Sequence, residues 1–358
     1  MANTLARRTL VGGLPILAAL GATTRTRAQA KPTLTAVDWG GQTLSSVQAI
    51  QRFQNVADVR WELHAGGAAA ILAKIAASWP HVNYDVVAAW SPVFVSMARE
   101  GWLEKMTAEE MPNIVNIPSP LFVRDRDGDI VTIPRELNNH MWGYRPDLCP
   151  FPITRIQDLL DKRLKAKIVF PGPVLNTGTQ MIVIARAFGG SEAAMEPAWE
   201  FVKQLARNGN IGRVSNSDTE THNSLTSGET CIGFGAASHF VRIAEAGLPV
   251  QPLAKMPAES GFCTVIAMQG WCVLKGGQVA TAKAWINALV APEPNGIETA
   301  ISGTVPANSL APVSDAMKPV RYAPDELPKY TYTPDWSIVS AELPNWVRRW
   351  EREVTPLL

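Results

Sequence analysis

Charge of one sign is scarce in this 358-residue chain, where 33 lysines and arginines face 32 acidic residues for a net charge of +1. Without residues 1–30, which hold four arginines and no acid, the balance becomes −3. A surface this close to neutral offers no basic face to nucleic acid or to an anionic membrane. Long apolar runs are missing too. The run from Leu10 to Ala22 falls short of the roughly 20 residues that span a bilayer, and no other stretch is long enough. The four cysteines (Cys149, Cys231, Cys263 and Cys272) form no Cys-x-x-Cys, which excludes a redox motif or haem attachment of that type. The five histidines (His64, His81, His140, His222 and His239) are scattered without metal spacing. There is no Gly-x-Ser-x-Gly elbow, His-Glu-x-x-His or Walker loop. "GFGAAS", from Gly233, only approaches a dinucleotide fingerprint, since it ends in Ser238 rather than glycine.

The chain opens with Arg7-Arg8, a weakly apolar segment, two more arginines and the small-x-small triplet Ala28-Gln29-Ala30. This layout predicts an export signal, and the paired arginines favour the Tat machinery over the Sec route, with cleavage after Ala30. No cysteine stands at the cut to take a lipid, so the expected product is a soluble periplasmic protein. Such a compartment permits disulfides, and four cysteines allow three pairings. Cys263 and Cys272 can face each other across a hairpin at "FCTVIAMQGWCV", with buried free thiols as the equal alternative.

From Pro32 onward strand and helix patterns alternate. "TLTAVDWGG", "DVRWELHAGG" and "YDVVAAW" read as strands. Between them lie a helix capped by Thr43, with Leu44, Val47 and Ile50 on one face, and a helix striped by Leu72, Ile75 and Trp79. Ser91-Pro92 predicts a further helix start and Gly101 its stop. Repeated βαβ units predict a parallel sheet that binds ligand at the carboxyl ends of its strands, here "DWGG", "HAGG" and "AAWS". Asp125, Asp127 and Asp129 suggest calcium, but Gly128 comes too early for an EF-hand loop, and an Asp-Gly hairpin is expected. The pattern resumes after Asn138. Thr154 and Gln157 predict a capping box, and "KIVFPG" a strand. Pro197–Arg207 reads as a helix, "TCIGFGA" as a strand and "HFVRIAEAG" as a helix ended by Gly247. A helix striped by Ala282, Trp285, Ile286 and Leu289 follows, and the tail closes with an amphipathic helix carrying Trp346, Trp350 and Val354.

"YDVVAAWSPVFVSMAREGWLEKM", "VTIPRELNNHMWGYRPDL", "ITRIQDLLDKRLKAKIVFPGP", "LTSGETCIGFGAASHFVRIAEAGLPV" and "GTVPANSLAP" stand in the order of five segments of type II periplasmic solute-binding proteins. The chain resembles that family over nearly all of residues 31–358, most closely its spermidine/putrescine and ferric-iron branch. The resemblance implies an α/β fold of two lobes, each a mixed, mainly parallel sheet flanked by helices, with the ligand cleft between them. It implies residues 31–137 and 264–312 in lobe 1 and 138–263 and 313–358 in lobe 2. It also implies no catalysis and no cofactor. The expected protein is a monomer that closes on a small-molecule ligand and delivers it to the membrane permease of an ABC importer.

Departures from the relatives narrow the cargo. "GFGAASHF" lacks the adjacent tyrosines of the iron-binding relatives. "PGPVLNTGT" and "GFCTVIAM" lack the acids of the polyamine-binding ones, although Asp38, Glu136 or Glu259 can substitute. The turn Asn176-Thr177-Gly178-Thr179 opens a helix whose unpaired N–H groups suit a carboxylate or phosphate, with plain capping as the alternative. Further candidate ligand contacts are Asp38, Trp39, Gly40 and Gly41 at the first strand end, Gly66-Gly67 at the second and Trp90-Ser91 at the third. Arg135, Asn138 and Asn139 at the first crossing, and Ser238 and His239 after the Gly-rich strand, complete the set. Each has a structural alternative: a tight turn, a cap, core packing or hydrogen bonding between lobes. The expected cargo is a small organic anion or zwitterion. A polyamine is the alternative within the same fold, and a periplasmic hydrolase using cleft acids is the alternative outside it.

Overall fold

A computed structural model describes residues 30–64 and 67–358. The expected export signal and Gly66 lie outside the described residues. Among the described residues thirteen strands follow in chain order. These are β1 Thr33–Asp38, β2 Asp58–Leu63, β3 Val86–Trp90, β4 Ile133–Leu137, β5 His140–Tyr144, β6 Ile168–Pro171 and β7 Ile211–Ser215. They continue with β8 Ile232–Ala236, β9 Gln251–Pro252, β10 Thr264–Val265, β11 Met268–Val273, β12 Val305–Pro306 and β13 Thr331–Tyr332. The helices are α1 Gly41–Ala49, α2 Gly67–Ser78, α3 Ser91–Arg99, α4 Thr179–Ala187, α5 Glu196–Arg207 and α6 Asp218–Ser227. After them come α7 Ala237–Glu245, α8 Val279–Leu289, α9 Pro292–Ser302, α10 Leu327–Tyr330 and α11 Trp336–Glu353. No helix among the described residues is long and apolar enough to cross a membrane.

The strands form two sheets. One runs β12-β4-β11-β3-β1-β2, and the other runs β13-β10-β5-β8-β6-β7 with β9 beside β5. In the first sheet β1 pairs parallel with β2 and β3, while β11 runs antiparallel between β3 and β4. In the second, β6 pairs parallel with β7 and β8, while β5 runs antiparallel to β8. The central strands Val86–Ala89 and Ile168–Pro171 are buried throughout, the signature of sheets covered on both faces. The striped helix α8 buries Ala282, Trp285, Ile286 and Leu289 against the first core, and α11 buries Trp336, Trp346 and Trp350 in the second.

The chain passes between sheets three times. β4 leads through Asn138-Asn139 into β5, β10 through Ile266-Ala267 into β11, and β12 through residues 307–330 into β13. The first two crossings are tied together. Asn138 N–H donates to the Ala267 carbonyl (3.1 Å), and Ala267 N–H donates to the Asn139 side-chain oxygen (3.1 Å).

Several local expectations give way to tertiary structure. "FCTVIAMQGWCV" is not a hairpin: β10 belongs to the second sheet and β11 to the first, so Cys263 and Cys272 sit in different cores. Thr43 lies inside α1, which Gly40 precedes at φ 84°. Ser91 does not cap α3; its hydroxyl donates to the Met268 carbonyl (3.3 Å) and Trp90 holds the cap position. The capping box uses Asp158, not Gln157. Its carboxylate accepts from the Thr154 and Arg155 N–H groups, and a short 3-10 turn follows instead of an α-helix. The Asp-Gly hairpin forms as expected, with Arg124 bridged to Ile130.

Candidate functional site

A cavity of about 140 Å³ lies between the two sheets. Elements of the first sheet supply Gln42 and Thr43 of α1, Glu136 of β4, Gln269 of β11, Ser302 at the end of α9 and Thr304 just after it. The other wall comes from Asn138 at the crossing, Asp218 at the start of α6, and Ser238, His239 and Arg242 of α7. Helices α1, α6 and α7 each follow a strand that runs parallel to a neighbour, so their N-terminal ends gather at the carboxyl edges of the sheets.

Buried charge underlies the first wall. Arg135 donates to Glu298 (2.8 Å), lies 3.3 Å from Glu136, and covers the Trp271 ring at 5.1 Å. Burial disfavours its charge, but Glu136, Glu298 and Asp38 together hold the guanidinium above its ordinary value. Burial pushes the Glu298 carboxyl up to about 8, with Arg135 opposing and Glu136 and Asp38 adding to the shift. Glu136 accepts from Ser302 (3.0 Å) and Thr304 (2.6 Å). Asp38, wholly buried, accepts from Gly40 N–H (3.0 Å) through one oxygen, while the other has no partner. Burial lowers the basicity of His64 against the pull of Asp38, and both its ring nitrogens are unpartnered. With Glu298 holding its proton at neutral pH, Glu136 and Asp38 still outnumber the one guanidinium, an arrangement short of positive charge.

The second wall is lighter. His239 Nε2 stands 3.5 Å from Asp218, and an added Cβ at Gly235 would lie 2.8 Å from His239 Nδ1, so glycine there leaves room for the ring. Burial raises the Asp218 carboxyl, but the His239 contact and the fields of His239, His140 and Arg242 carry it below its ordinary value. Arg242 donates to Gln42 (2.6 Å) and to the Ser302 carbonyl (2.8 Å), linking α7 to elements of the first sheet. It forms no ion pair among the described residues.

The expected site residues divide by position. Asn138, Ser238 and His239 wall the cavity. Arg135 and Asp38 form the buried charge behind Glu136. Trp39 packs edge-on against His64 (5.6 Å), Gly40 and Gly41 shape the entry to α1, and Gly67 opens α2. Trp90 meets His140 (6.4 Å) and Trp336 (5.7 Å), and Ser91 and Asn139 bond backbone at the crossing. Asn176–Thr179 takes no part in the cavity wall. Thr179 is fully buried and meets His140 Nδ1 (2.9 Å), Asn176 and Thr177 are half-buried at positive φ, and Gly178 lies beneath Trp346 of α11. The turn expected to cradle an anion is therefore roofed by the C-terminal helix.

Sequence reasoning passed over Asp218, Arg242, Gln269, Ser302 and Thr304. Asp218 opens a helix after a strand and Arg242 follows His239 at i+3, so the strand-end rule reaches both. Ser302 and Thr304 close a helix at Gly303 and carry no such signal. A larger cavity of about 400 Å³ between α5 and α11 lies within one lobe, and its Arg349 and Glu196 pair with each other (2.8 Å).

Two α/β lobes joined by three crossings, with a polar cavity walled by both, define the architecture of a solute-trapping protein. The chain belongs to the bacterial extracellular solute-binding protein family, which matches residues 48–324. It is similar in structure to an extracellular solute-binding protein from Bordetella parapertussis at TM-score 0.76 and 18% identity, covering 90% of this chain and 99% of that one. An ABC transporter structure from Clostridium perfringens matches at TM-score 0.71 and 19% identity over 90% of this chain and 100% of that one. The spermidine/putrescine ABC transporter substrate-binding protein of Streptococcus pneumoniae matches at TM-score 0.69 and 16% identity over 88% and 100%. No curated protein sequence matches the chain. The fold and the family are those that the order of motifs implied.

Proposed function

We propose that the chain captures a small zwitterion between its lobes and delivers it, unaltered, to the membrane permease of an ABC importer. The cavity with Glu136 on one wall and Arg242 on the other carries this reading. The acid excess around Glu136, with an unpartnered oxygen on Asp38, favours an ammonium group. Arg242, which forms no ion pair among the described residues although its field reaches Asp218, favours an anionic end. The cargo argument thus moves from the Asn176–Thr179 turn to α7, and the expected anion or zwitterion narrows to the zwitterion. Solute shifts the lobes toward closure only by its extra affinity for the closed form, which comes from contacts with both walls. Residues 33–137 and 268–306 form the first lobe, with Asn138-Asn139 and Ile266-Ala267 as hinges. The working protein is a monomer, exported by the Tat route and cut after Ala30, with no catalytic role.

Thermal-shift screening of amino acids, ω-amino acids, simple carboxylates and polyamines, followed by calorimetry, tests this. A zwitterion bound one to one, weakened at least tenfold by Glu136→Gln and recovered intact, is the expected result. Binding of a carboxylate without an amine, undiminished by Glu136→Gln, overturns it. Binding of putrescine undiminished by Arg242→Gln favours the polyamine reading, and turnover favours a hydrolase.

A further inference from the structure

Two of the four cysteines meet. The Cys149 and Cys231 sulfurs are 3.4 Å apart, although the residues stand 82 positions apart in the chain. The contact arises from two anchored segments. Cys231 directly precedes β8 and its N–H donates to the Lys167 carbonyl (2.9 Å), while its own carbonyl accepts from Arg145 N–H (2.8 Å), extending the β5–β8 ladder. The chain then turns: Leu148 and Cys149 N–H both donate to the Arg145 carbonyl (3.1 and 3.0 Å), which carries Cys149 back over Cys231. Arg145 fixes that turn from the other side, with its guanidinium on the Leu225 and Thr226 carbonyls (3.2 and 3.0 Å) and on Asp147 (2.6 Å). Cys231 is buried and Cys149 half-buried. The other two thiols lie in separate cores, and Cys272 points to the Val87 carbonyl (3.7 Å).

We propose that Cys149 and Cys231 are joined by a disulfide in the extracytoplasmic protein, a staple across the second lobe. A bonded sulfur pair is about 2.05 Å long, so the sulfurs need close a gap of only about 1.4 Å, within reach of side-chain rotation. The bond ties the strand-end turn after β5 to the start of β8 and encloses β6, α4, α5, β7 and α6 in one covalent loop. Formation follows thiol–disulfide exchange with an external disulfide oxidant. Half-buried Cys149 forms the mixed disulfide, releasing one oxidant thiol. The Cys231 thiolate then attacks the Cys149 sulfur and expels the second. The protein loses two protons and two electrons, and the oxidant disulfide becomes two thiols.

The proposal rests on the extracellular location of the family, so the pairing and the location are tested separately. Protein made in the cytoplasm is treated with oxidised glutathione, and protein exported to the periplasm is alkylated as recovered. Both are mapped by mass spectrometry without reduction. The expected result in each is one cross-linked peptide pair containing Cys149 and Cys231, with Cys263 and Cys272 alkylated. Four free thiols after glutathione treatment, or a bond to Cys263 or Cys272, overturns the pairing. A bond formed with glutathione but absent from the periplasmic protein overturns its presence in the extracytoplasmic form. Dithiothreitol is expected to lower the melting temperature of the oxidised wild type by roughly 5–10 °C and to leave that of Cys231→Ala unchanged. An equal response in both proteins overturns the staple. Solute affinity, measured by calorimetry on the oxidised and reduced samples, reports separately on the binding reading.

Discussion

The β6–α4 and β8–α7 turns lie at the same edge of the second sheet, on strands paired in parallel through Ile168 with Ile232 and Val169 with Gly233. Both end in small residues and open a helix, yet their surroundings differ. At α4, Trp346 of α11 covers Gly178, and the Thr179 hydroxyl is engaged by His140. At α7, no C-terminal helix intrudes; Ser238, His239 and Arg242 wall the cavity, and Arg242 reaches across to Gln42. The local chemistry that makes a helix start able to hold an anion is the same in both. The cover over the α4 turn comes from a segment more than 150 residues away in the chain, which no local pattern encodes.

Removing the roof is the severest test of this contrast. Trp346→Ala strips a buried ring from the second core and is expected to lower stability by about 3–5 kcal/mol in urea denaturation. Solute affinity, measured by calorimetry where the variant remains folded, should change less than threefold. A collapse of affinity at intact fold would show that the α4 turn serves the solute after all. The opposite change belongs at α7. Arg242→Gln should weaken binding about 100-fold, near 2.7 kcal/mol, because it removes a charged contact and a link between lobes. Thr177→Ala, on the half-buried turn, should stay within twofold by the same calorimetry. If the two variants exchange these outcomes, the assignment of the walls is inverted.

Gly178→Ala sharpens the comparison at a smaller scale. Gly178 has φ 73°, and a Cβ there would lie 2.9 Å from the Trp346 ring. The left-handed backbone and the crowding together should lower stability by about 1–3 kcal/mol in urea denaturation, with solute affinity unaffected. Gly235→Ala, where the Cβ would press on His239 instead, should disturb affinity as well, because His239 is a cavity wall.

The fold was readable because it rests on periodic patterns and on motif order. Alternating strands and amphipathic helices, such as the stripe of Ala282, Trp285, Ile286 and Leu289, follow from burial alone. The candidate site was readable where it hugs the hinge: Asn138 and His239 stand in the wall and Arg135 directly behind it, beside the crossing that the motif order revealed. It was not readable where two distant segments converge. Glu136 entered only as a substitute amine partner, and Ser302 and Thr304 meet its carboxylate from positions 166 and 168 residues away. The helix caps failed for a related reason. Ser91 and Thr43 have the right chemistry, but Ser91 found a better partner in the Met268 carbonyl across the sheet, and Gly40 turned the chain before Thr43 could cap it.

The smallest effect separates the two lobes by pH. Glu298, behind the first wall, titrates near 8 in the folded protein against an ordinary 4.5, so the native state holds a proton that the unfolded chain has lost. Its contribution is complete below about pH 4.5 and fades as pH rises toward 8. His140, between Trp90 and Thr179, is shifted the other way by burial, from 6.5 to about 4, so its contribution is complete above pH 6.5 and fades as pH falls toward 4. The two slopes oppose each other between about pH 4.5 and 6.5, where stability should vary little on their account. From 6.5 to 8 only Glu298 acts, and the melting temperature should decline by a few degrees. Glu298→Gln should remove that decline and, with the opposing slope gone, uncover a loss of stability as pH falls from 6.5 toward 4, whereas His140→Gln should extend the decline down to about pH 4.5. A decline above pH 6.5 that persists in Glu298→Gln would place the titrating group elsewhere and leave the first wall without its buried proton.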